Sequence, residues 1–110
     1  MKTIGVIVST ALILTVVTAG SLLAAGDPAA GKEVFTKKCA SCHGAAGEGK
    51  DTIAKMMKVE MRNLGSKEVQ AKSDAALSKN IKEGNGKMKP MTVTDKELQD
   101  VVAYLRTLKK

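Results

Sequence analysis

The sequence predicts a small all-α domain of four or five helices. Three observations lead there. No run of the chain reads as a strand, and no repeat or second domain is visible. Thr94-Asp95-Lys96-Glu97 forms a capping box, and Leu98, Val101, Val102, Leu105 and Leu108 follow it at the i, i+3, i+4, i+7 spacing of an amphipathic helix. Upstream, Ser73 caps a second helical run in which Leu77 and Ile81 face inward, and Gly84 ends it.

The chain opens differently from the rest. Met1-Lys2 is a short positive start, and from Thr3 to Gly26 no charge appears. Apolar runs from Ile4 and Ala11 lead to the small residues Leu23-Ala24-Ala25, which suit a cleavage site. Residues 1–25 therefore read as a signal peptide. If retained, they are long enough to serve as a membrane anchor. Either way residues 26–110 form the working domain, with a periplasmic or other extracytoplasmic location. That domain is small and holds one Phe, one Tyr and no Trp. So small a core calls for a staple or added apolar mass.

Charge narrows the partners. The net charge is +7, of which Lys2 carries one unit, and the lysines are scattered through the domain. A basic surface favours acidic proteins or anionic membranes. An exported chain with two aromatic residues lacks the stacking side chains that nucleic acid needs, so nucleic acid is excluded.

The first helix starts at Asp27-Pro28, an N-cap followed by a proline in the position helices tolerate best. It runs through Gly31, Val34, Phe35 and Lys38 to Cys39-Ala40-Ser41-Cys42-His43. Gly31 and Phe35 share a face, and a glycine inside a helix marks close approach by another element. The pentapeptide carries the chemistry. Two thiols two residues apart, followed at once by histidine, form the attachment pattern of c-type haem. Cys39 and Cys42 would become thioethers, and His43 would supply the proximal nitrogen to iron. A thioredoxin-like pair expects a βαβ setting, a zinc site lacks further Cys or His, and a plain disulfide leaves His43 unexplained. One covalent haem c also provides the apolar mass that the composition lacks.

After His43, Gly44 to Asp51 reads as a loop. Ile53, Met56, Met57, Met61 and Leu64 give Thr52–Leu64 a rough helical spacing, with the methionines as adaptable pocket lining. A short helix fits Ser66–Ala71. Two glycines and a proline make Gly84–Met91 an irregular, ligand-facing loop ahead of the last helix.

Together these residues resemble the class I family of small monohaem bacterial cytochromes c, of the c6, c551 and c555 types. The resemblance spans residues 27–110. It rests on Gly31, Phe35, Cys39, Cys42, His43 and Gly44, on Gly84 and Met88, and on Leu98, Val101, Val102, Tyr104, Leu105 and Arg106. It implies that the first and last helices cross with Gly31, Phe35 and Tyr104 in contact. It also implies a haem held by histidine on one side and methionine on the other. Met88 matches the methionine position, with Met91 the runner-up, because Lys89 intervenes before Pro90 where the family has Met-Pro. Val34, Phe35, Leu64, Leu77, Ile81, Leu98 and Val102 are expected to enclose the group.

The function implied is electron transport rather than catalysis: one-electron Fe(III)/Fe(II) cycling in an extracytoplasmic respiratory chain. Redox proteins with acidic docking surfaces are the expected partners, met through lysines such as Lys37, Lys38, Lys87 and Lys89. A haem subunit anchored to a membrane oxidase or reductase is the alternative. An open-site haem sensor or catalyst is a further one, and the Met88/Met91 loop argues against it.

Overall fold

A computed structural model of the chain describes residues 26–110; the expected signal peptide, 1–25, lies outside the described residues. Six helices follow in order: α1 Pro28–Lys38, α2 Ala40–His43, α3 Asp51–Met57, α4 Lys67–Gln70, α5 Asp74–Glu83 and α6 Asp95–Thr107. Among the described residues no strand forms, and the only extended pairing is an isolated bridge between Asn85 and Met88. The all-α class holds, with six helices where four or five were expected. The extra one arises because Cys39, at φ −118° and ψ −35°, interrupts the helix that leads into the cysteine motif.

Local chemistry accounts for most helix ends. The Asp27 carboxylate accepts from the amide of Ala29, and Pro28 takes the first turn, where its missing N–H costs nothing. Ser73 accepts from Ala76, and the reciprocal box at α6 is complete, with Thr94 Oγ1 accepting from Glu97 N and Glu97 Oε1 accepting from Thr94 N. The stretch from Thr52 to Leu64 departs from its helical spacing. α3 stops at Met57 because Lys58 turns left-handed, at φ 54° and ψ 49°, and the chain then runs without helix to Leu64.

The frame of the fold is α1 packed on α6. A β-carbon at Gly31 would overlap the Asp100 carbonyl, so glycine is what lets the two backbones meet. One turn on, the rings of Phe35 and Tyr104 sit 5.3 Å apart and tilted by 57°, an arrangement aromatic quadrupoles favour. The expected contact of Gly31, Phe35 and Tyr104 is therefore present. Asp100 is buried at this crossing, where its carboxylate accepts from the amide of Asp27 (2.8 Å) and from Lys96 Nζ (2.6 Å). α5 leans on α6 through Leu77 and Ile81, which join Phe35, Val69, Val101 and Leu105 in one core.

A second tie secures α4. The Gln70 side-chain amide donates to the carbonyls of Leu64 and Leu105, both at 2.9 Å. Arg106 spreads its guanidinium over the Gln70 carbonyl (2.9 Å), the Lys72 carbonyl (2.7 Å) and Asp74 Oδ1 (2.7 Å). These bonds anchor the connection between the irregular segment and α5 to the last helix.

Candidate functional site

Cys39 closes α1, its amide bonded to the Phe35 carbonyl at 2.8 Å. The single turn of α2 then carries Cys42 and His43, with His43 N donating to the Cys39 carbonyl at 2.9 Å. The loop that follows folds back on this turn: Gly49 N donates to the His43 carbonyl (2.6 Å) and Lys50 N to that of Cys42 (3.1 Å). The pentapeptide is thus held from both sides by backbone, which fixes where its three side chains emerge.

They emerge on one cavity of about 840 Å³, within the size range of small-molecule and cofactor pockets. Cys39, Cys42 and His43 line it together with Met88 and Met91. Its apolar wall comes from Phe35, Leu64, Leu77 and Ile81, as expected, and also from Val69, Val101 and Leu105. Leu98 and Val102, expected on that wall, are buried elsewhere in the core, and Val34 packs against the core. The reason is helical register: Val101 and Leu105 share one face of α6, turned about 60° from that of Leu98 and Val102.

The chemistry of the donors fits a covalent haem. Both cysteines are free thiols and half-buried. Burial pushes the Cys39 thiol up, against a partial lowering by Lys38, so it stays protonated. Burial pulls His43 down, which keeps the imidazole neutral, the form that binds a metal. His43 Nδ1 is buried and has no hydrogen-bond partner. Such an orphan is rare in a native interior and points to a missing ligand. Among the described residues no group of three or more His, Cys, Asp or Glu stands together as a metal-ion site.

The methionine loop forms another part of the wall. Asn85 and Met88 exchange two backbone bonds, both 3.0 Å, across Gly86-Lys87, with Gly86 at φ 58° at the first turn position where glycine is favoured. Met91 N is held by the Ile81 carbonyl at 2.9 Å. Met57 and Met61 also line the cavity, whereas Met56 points away and is 72% exposed.

Three features here lay beyond the sequence pattern: the buried Asp100, the Gln70–Arg106 tie, and a bond from Lys87 Nζ to the Met57 carbonyl at 2.5 Å. Asp100 had one signal, its place four residues before Tyr104 on the face expected to meet Gly31. The other two join residues far apart in the chain and leave no periodic trace.

Residues 28–109 match the sequence profile described as cytochrome c. The chain belongs to the cytochrome c family. As a cytochrome c with the Cys39/Cys42 spacing, it carries one covalently bound haem c. It is 34% identical over 95 residues to cytochrome c-554(547) of Halothiobacillus neapolitanus, a match covering 77% of this chain and all of that protein. It is 44% identical over 54 residues to cytochrome c-554 of Methylosinus trichosporium, covering 49% of this chain but only 40% of that longer protein. Among solved structures it resembles the KustC0563 c-type cytochrome, with a TM-score of 0.64 and 28% identity, covering 73% of this chain and 98% of the other. Among the described residues no helix is long and apolar enough to cross a membrane.

Proposed function

We propose that this cytochrome c is a one-electron carrier whose iron is ligated by His43 and Met88, working in an extracytoplasmic electron-transport chain. The observation that carries the reading is the shared cavity. The attachment motif and the methionine loop, far apart in sequence, line the same apolar space.

Cys39 and Cys42 would hold the group as thioethers, each sulfur bonding a vinyl carbon while its proton goes to the neighbouring carbon. The haem supplies Fe(III)/Fe(II) exchange at a potential raised by a thioether ligand. His43 offers its neutral imidazole, and the backbone bonds around α2 fix where its side chain leaves the chain. Met88, or Met91 in its place, would offer a soft sulfur from the same cavity wall. Were His43 and a methionine both to bind the iron, it would have no place left for substrate, which favours a carrier over a sensor or catalyst. Phe35, Leu77, Ile81, Val101 and Leu105 keep water from the apolar wall and disfavour the additional charge of ferric iron. The exposed Lys37 and Lys89 remain candidates for meeting acidic partner surfaces.

Absorption spectra of the oxidised protein test the ligand set. Met88→Ala is expected to lose the weak red methionine–iron band; its survival there and loss in Met91→Ala would move the ligand to Met91. Immediate binding of carbon monoxide to the reduced wild type would overturn the closed-site carrier. N-terminal sequencing of the mature protein tests removal of residues 1–25.

A further inference from the structure

The loop from Gly84 to Thr94 contains no helix of its own, yet it must present a methionine at a fixed place. The loop is tied down at three points, two through its backbone and one through a side chain. Met91 N bonds the Ile81 carbonyl in the middle. At the tail, Lys38 Nζ donates to the Thr92 carbonyl at 2.6 Å and stands 3.7 Å from Glu97 Oε2. At the tip, Lys87 Nζ reaches the Met57 carbonyl, thirty residues away in sequence.

The tip contact has a physical logic. Met57 is the last residue of α3, and the final carbonyls of a helix have no intrahelical donor and carry the negative end of its dipole. A lysine ammonium is a favourable partner there. Met57 and Met88 both line the cavity, so this one bond joins two separate segments of its wall. The tight turn at Gly86 places Lys87 at the far end of the hairpin, next to Met88 itself.

We propose that Lys87 is a positioning residue, a latch that holds the methionine loop against α3 so that Met88 stays on the iron. The latch rests on the reading of Met88 as axial ligand for its consequence at the metal, though not for its effect on the loop. Lys38 secures the same loop at its other end. Of the four lysines expected to dock partners, two thus have their ammonium groups committed to carbonyls within the fold.

The test uses the intact haem-loaded protein with Lys87→Gln, Lys87→Arg and Met88→Ala, one at a time. Two quantities are read: amide exchange at Met88, whose N–H bonds the Asn85 carbonyl, and the rate of imidazole binding to the ferric form. In Lys87→Gln both are expected to rise about fivefold, the factor that corresponds to loss of about 1 kcal/mol of charge-assisted bonding at an exposed site. Lys87→Arg, which keeps the cation, is expected to stay within about twofold of wild type on the same scale. Unchanged exchange in Lys87→Gln overturns the latch, as does an equal rise in Lys87→Arg. Faster exchange with an unchanged imidazole rate overturns the positioning role at iron. Met88→Ala examines the ligand separately: if it retains the red band, the Met88 reading fails, and the latch stands or falls on the exchange data alone.

Discussion

Gly31 and Asp100 meet backbone to backbone. A β-carbon on Gly31 would overlap the Asp100 carbonyl and lie 2.9 Å from Tyr104 Cβ, so the two backbones approach closely where α1 carries no side chain. The same two helices carry Phe35 and Val101, the most deeply buried large side chains, and the cavity wall is built partly from both. The closeness of this crossing therefore sets the shape of the haem pocket.

Gly31→Ala is expected to force the helices apart. Overpacking against backbone, which cannot rotate away, places the cost at about 3 kcal/mol. Denaturant unfolding of the haem-loaded protein measures it; a change within error would mean that the helices slide without penalty.

Acid stability should depend on Asp100. The Lys96 ammonium and the Asp27 amide hold its carboxyl below the usual carboxylate range. A group whose pKa is depressed by folding contributes stability above its unfolded value, about 3.9, and loses that contribution as pH falls through the lower folded value. Asp100→Asn is therefore expected to lower the melting temperature at neutral pH. The difference from wild type should shrink steadily below about pH 4. A difference that does not vary with pH would assign the effect to packing instead.

Arg106→Lys should cost about 1–2 kcal/mol despite retaining the charge, because one ammonium cannot reproduce a planar fork that serves two carbonyls and a carboxylate. Thermal unfolding at neutral pH is the measurement. Equal stability of the two proteins would show that charge alone matters there.

Without haem the domain should lose its cooperative transition. Phe35, Leu64, Val69, Leu77, Ile81, Val101 and Leu105 turn apolar surface to a cavity of about 840 Å³, surface that only a bound apolar group would keep from water. An ordinary domain is stabilised by only about 5–15 kcal/mol, so exposing that wall is a large loss for so small a core. A Cys39→Ala/Cys42→Ala/His43→Ala chain, unable to hold the group, is expected to show weakened helical circular dichroism and no sharp melting. A cooperative melt in that variant would contradict the dependence on haem.

What could be read in advance was what is written locally. The capping box at Thr94 and Glu97, the Ser73 cap and the Cys39–His43 spacing involve neighbours within five residues, and the two caps form as expected. Gly31 and Tyr104 were also legible, through their resemblance to a family pattern. The end of α3 was not, because the left-handed turn at Lys58 occurs at a residue with no intrinsic preference for it. Nor were the roles of Lys38 and Lys87: a lysine in a list counts as surface charge, and only the folded chain shows which carbonyl its ammonium has found. The choice of Val101 and Leu105 over Leu98 and Val102 as cavity wall turned on a rotation of α6 too small for periodicity to resolve.

The pairing of α1 with α6 also bears on the order of events in making the protein. A chain that emerges N-terminus first exposes Cys39, Cys42 and His43 long before Tyr104 exists to meet Phe35. During that interval the first helix has no partner and the thiols no enclosing wall. Closure of the α1–α6 crossing therefore waits on the last segment of the chain to be made.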